Sequence, residues 1–190
     1  ASISQYSQDN LLFFGSDAPD PHYTEIAQSF VGTGGYLSDI WFQAMKFGAP
    51  ASGVRASIRT SPTGPDLTSV NLPHGDFPDF PNWVLATFPT PVKVTGGVIY
   101  YLIFHTDVYD YDDSYGVSYT DFSTNGGVNV FPDGNLSTSS NGIAWVNQAQ
   151  NDLFFELWFD GAGGRGGQPR DGNGHGTHVS GIAAAATDNS

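Results

Sequence analysis

Cysteine is absent from the 190-residue chain, which excludes disulfides and thiolate metal centres. The same absence says little about compartment, because many exported prokaryotic proteins also lack cysteine. No run of 18 apolar residues occurs, so no helical membrane span is expected. A charged and apolar leader is missing too. A mature chain starting at Ala1 after cleavage reads this way, and an extracellular or cell-surface location is the expectation. Basic residues are scarce: 6 Lys plus Arg stand against 17 Asp and 2 Glu, for a net charge of -13. Such a balance repels phosphate, which excludes nucleic acid and anionic lipid as partners. Helix signals are nearly missing before residue 175, and no internal repeat of 20 to 50 residues is evident.

Short aromatic or β-branched runs are present instead, separated by Gly and Pro at spacings that suit short strands. Strands are predicted at 26–33, 36–47, 54–60, 82–88, 98–105, 113–122 and 151–159. A short one precedes Gly96 and a weaker one lies at 127–131, while 61–81 reads as a turn-rich loop. Eight or nine strands with long connections predict an all-β, two-layer β-sandwich of jelly-roll type over residues 1–160. A Gly-rich linker at 161–174 follows, with 7 Gly in the 15 residues from Ala162 to Gly176. Its Arg-Gly-Gly is no RNA signal against this charge, and the Lys-Ser/Thr ending of a phosphate loop is missing. Residues 175–190 are expected to form a short helical or extended tail.

Ala27 to Phe30, Leu37 to Phe42, Val54 to Thr60, Trp83 to Tyr101 and Asp152 to Trp158 occur in an order with a known counterpart. Over about residues 6–160 the chain resembles the accessory jelly-roll domains of secreted bacterial, archaeal and phage proteins. That resemblance implies a carbohydrate-binding-like or surface-structural module without a shared active site. A second resemblance lies in DGNGHGTHVSGIAAAA, residues 171–186. It is similar to the active-site histidine segment of the subtilisin-like serine proteases, and implies His175 as a general base. The other two parts of that triad have no counterpart. Asp152 and Asp160 lack the small residues that follow the family's aspartate, and only Ser180 and Ser190 follow His175. The chain as it stands is therefore expected not to hydrolyse peptides, the alternative being a fragment of a longer subtilisin-like endopeptidase. His175 and His178, three apart, have no further ligand cluster nearby for a metal.

One stretch carries two candidate binding chemistries. In HTDVYDYDDSY, residues 105–115, Asp107, Asp110, Asp112 and Asp113 crowd into seven residues, where a calcium ion would accept their oxygens. The EF-hand pattern is not matched, and the alternative is a hydrated loop whose Asp side chains serve local backbone donors. Tyr109, Tyr111 and Tyr115 alternate with those acids. They could stack on sugar rings, as in a carbohydrate-binding module, or pack beneath the loop.

Strand alternation supplies the third candidate. With Leu153, Phe155 and Leu157 facing the core, Phe154 and Trp158 face out; with Ile40, Phe42 and Ala44 inward, Trp41 faces out. Large aromatics on an outer sheet face suggest a protein partner, most simply another copy of the chain, unless the 61–81 segment covers them. Val179 and Ile182 in the tail are the residues expected to dock on a neighbour. The favoured function is a non-catalytic module for surface or filament assembly, or adhesion, through self-association. Asn135-Leu136-Ser137 is an N-glycosylation sequon in a turn-rich loop.

Overall fold

A computed structural model describes residues 10–18, 22–121, 126–127, 131–148, 151–160 and 178–180. Thirteen strands are formed among them: β1 (Leu11–Phe14), β2 (Glu25–Val31), β3 (Gly35–Lys46), β4 (Val54–Arg59), β5 (Thr68–Leu72), β6 (Asn82–Val94) and β7 (Ile99–His105), then β8 (Tyr115–Thr120), β9 (Leu136–Ser139), β10 (Val146–Asn147), β11 (Asp152–Leu153), β12 (Phe155–Asp160) and β13 (His178–Ser180).

Alternation sets which side of each strand is buried. Ile26 and Phe30 of β2, Ile40, Phe42 and Ala44 of β3, and Leu102 and Phe104 of β7 are almost completely inaccessible. Pairing is antiparallel throughout, and two sheets result. In the first, hereafter sheet A, β8 lies between β1 and β3, and β3 also pairs with β6 and β12. In sheet B the order is β10-β9-β2-β7-β4-β5. From β1 to β9 the chain switches sheets at each step except β4 to β5, which is the strand order of a jelly roll.

The two sheets meet ring against ring. Phe42 of sheet A and Phe104 of sheet B have centroids 4.3 Å apart. Phe77, from the segment expected to be a loop, lies 4.8 Å from Tyr115 and closes one end of the core. A polar pin crosses the same interior. Gln28 of β2 donates from Nε2 to Asp152 Oδ1 at 2.9 Å, and its Oε1 accepts the Leu153 amide at 2.9 Å.

Several boundaries differ from expectation. β5 falls inside the 61–81 stretch, because Thr68, Val70 and Leu72 supply an inward face despite polar neighbours. β6 is a single strand where two were predicted. Its Phe88 to Pro91 leave the ladder with β3, which shifts register between Leu37 and Asp39, so Pro89 and Pro91 cost no pairing there. β1, β9 and β10 were not predicted. The 151–159 strand is broken at Phe154 into β11, which pairs with β8, and β12, which pairs with β3. Residues 128–130 of the predicted 127–131 strand and the whole 161–174 linker lie outside the described residues.

Candidate functional site

The outer face of sheet A is read from its register. Trp41 lies between Leu85 on β6 and Glu156 on β12, and Trp158 lies opposite Asp39, which in turn pairs with Thr87. Two residues along, on the same face, Trp83 is opposite Gln43. Trp41, Trp83, Leu85 and Trp158 are all half-buried, so each keeps part of its apolar surface in water. Near this face Phe13, 41% exposed, packs against Phe47 with ring centroids 5.0 Å apart. Trp41 and Trp158 thus face out, as alternation requires. Phe154 does not remain on the surface: it is only 8% exposed. The strand break fixes it there, with its amide donated to Ser118 O and its carbonyl accepting the Gln43 amide, each at 3.0 Å. The 61–81 segment contributes β5 to the other sheet and Phe77 to the core.

β12 has two edges. One carries β3; along the other, β13 pairs through Glu156 to Ser180, Leu157 to Val179 and Trp158 to His178. β8 reaches only as far as β11, pairing Tyr119 with Leu153 and Thr120 with Asp152, so β13 occupies the stretch of edge that β8 leaves. Of the tail residues singled out from the sequence, Val179 is in this strand, which is extended. His175 and Ile182 lie outside the described residues.

The acidic loop after β7 is organised by separate local bonds. Asp107 lies 3.0 Å from His105 Nε2, Asp110 accepts the Asp112 amide at 2.9 Å, and Asp113 accepts the Ala49 amide at 2.6 Å. Gly48 makes the last contact possible: its φ is +58°, and a Cβ there would meet the Asp113 carboxylate at 2.0 Å. Among the described residues no three His, Asp or Glu side chains come together as a metal site. The expected three-tyrosine platform does not assemble either. Tyr109 and Tyr111 are each 60% exposed, but Tyr115 starts β8 facing inward, fully buried, and donates its hydroxyl to Ser52 O at 2.6 Å. Burial pushes that phenol up to about 12.

Two polar contacts of the sandwich were not predicted from the sequence. On the outer face of sheet B, His105 Nδ1 lies 3.2 Å from Glu25 and Nε2 faces Asp107, and Arg55 stands opposite the same histidine on β4. Glu25 holds the imidazolium form; burial opposes it and Asp107 adds to it, so the His105 pKa is raised. Asp66 then ties Arg55 to Arg59. Burial pushes its carboxyl up, but the hydrogen bond and charge of Arg59, with Ser57 and Arg55, outweigh it and leave the pKa lowered. The second feature is Asp152, whose position inside the pin to Gln28 ties it to the packing of the two sheets. Neither was legible because partners such as Glu25 and His105 are 80 residues apart and only register joins them.

Fold and surface together define a class: an antiparallel β-sandwich of jelly-roll order with one aromatic outer face beside a tail-capped edge. The chain matches no family model and no curated protein. Among the described residues no helix is long and apolar enough to cross a membrane.

Proposed function

We propose that this chain is a non-catalytic, exported β-sandwich module that assembles by self-association, as part of a surface layer, filament or adhesive structure, through the outer face of sheet A. The observation that carries this reading is the grouping of Trp41, Trp83, Leu85 and Trp158 on that one face. A chain of net charge -13 keeps itself dissolved by repulsion, and half-buried tryptophans add nothing to that. They gain by removal from water at about 25 cal/mol per Å², and aromatic side chains dominate the cores of protein interfaces. A second copy is the simplest partner, since a two-fold contact needs only a self-complementary patch.

Light scattering coupled to size exclusion tests the reading on the 190-residue chain over a range of concentrations. The expected result is a mass that rises above the 20.3 kDa of one chain and returns to it in Trp41→Glu, with unchanged far-ultraviolet circular dichroism. A wild-type chain that stays at 20.3 kDa up to hundreds of micromolar would overturn it.

A further inference from the structure

We propose that the β12 edge at Glu156–Trp158 is a strand-addition site, and that its occupant in the assembled state is the His178–Ser180 segment of a second copy. This rests on the self-association reading above and names the element through which copies are linked.

The first argument is the geometry of the connection. An antiparallel pair is closed by as few as two residues, yet residues 161–177 lie between β12 and β13. A stretch of that length can span at most about 3.3–3.6 Å per residue, roughly 55–60 Å. The neighbouring strand is only about 4.8 Å away. The length of the connection therefore does not select its own edge over that of an adjoining molecule. Closing the loop within one chain also has an entropic cost that grows with loop length, and only three residues of β13 pair to offset it.

The second argument is that exchange demands no new bonds. Glu156–Ser180, Leu157–Val179 and Trp158–His178 are the same pairs whether the donor comes from the same molecule or another. Swapping of an identical element is a low-cost route to linked copies, and an unsatisfied strand edge is a ready template for it. Charge is compatible with either location. Residues 161–180 carry Arg165 and Arg170 against Asp171, whereas residues 1–160 carry 17 acidic against 4 basic side chains. A segment of net positive charge is drawn to a strongly acidic body, whether its own or that of a neighbour.

The third argument is continuity. The donor strand lies in the two rows that hold Trp41 with Glu156 and Asp39 with Trp158, so a donor from a second copy approaches along the aromatic face already assigned to association. The face supplies the encounter, and the exchanged strand then makes the link at a high effective concentration.

The absence of cysteine allows a direct test. Directly opposite residues of an antiparallel pair have Cβ atoms about 4.5–5.5 Å apart, close enough for a disulfide after a small adjustment. Two single variants of the full chain, Glu156→Cys and Ser180→Cys, are mixed under associating conditions and oxidised. Peptide mapping by mass spectrometry should find the 156–180 crosslink between the two chains, and Val179→Pro in the donor should reduce its yield at least tenfold. The double variant Glu156→Cys/Ser180→Cys supplies the control. If it crosslinks only within single chains while light scattering still shows oligomers, strand exchange is overturned and the face-driven association stands. If the chain is monomeric throughout, both fall.

Discussion

Asp152 is held where a carboxylate is costly. It is fully inaccessible, and one of its two oxygens, Oδ1, accepts from Gln28. Burial pushes its pKa from 3.8 up to about 6, with the hydrogen bonds from Gln28 and the Phe131 backbone pulling the other way. Between those two values the folded chain binds a proton that the unfolded chain has released. Stability therefore falls as pH rises through that window and is level above it. In Asp152→Asn, thermal melts should lose much of the decline in Tm between pH 4 and pH 6; a slope equal to that of the wild type would remove Asp152 as its source. His105 acts in the same direction in a higher window. Its raised pKa means the Glu25 contact supports the fold fully below the ordinary histidine value, and that support fades as pH rises through the raised one.

At the scale of elements, the two sheets depend on β3 and β7, whose inward residues meet at Phe42 and Phe104. Phe104→Ala leaves a cavity facing the opposite sheet and is expected to lower unfolding free energy by about 3–5 kcal/mol in urea titrations. A loss below 1 kcal/mol would mean that the core collapses around the gap. β2, β3, β4, β7, β8 and β12 were legible because inward positions such as Ile26, Phe42, Ile58, Phe104, Val117 and Leu157 are large and their neighbours differ from them. β5 and β9 were not, since TSVNL and LSTS carry few of the residues that mark strands. They are strands because β4 and β2 offer them open edges.

Over the whole molecule, charge and surface work against each other. The net charge of -13 keeps copies apart at neutral pH, and the aromatic face of sheet A draws them together. Lowering the pH toward the pI near 4.2, or adding salt at pH 7, weakens the repulsion and leaves the apolar contact in place. The mass-average from light scattering is expected to rise several-fold between 20 mM and 500 mM salt. A fall over that range would mean that ion pairs hold the copies together.

The sequence by itself determined the all-β class, the strands β2, β3, β4, β7, β8 and β12 and the outward direction of Trp41 and Trp158, because period-two alternation acts locally wherever a strand carries it. Only the tertiary structure decided that Tyr115 and Phe154 are buried, that Asp107, Asp110 and Asp113 of the loop turn to separate partners, and that the tail strand lies on β12. Those outcomes depend on which distant strands become neighbours, and register between segments 20 to 124 residues apart is set by the closing of the two sheets.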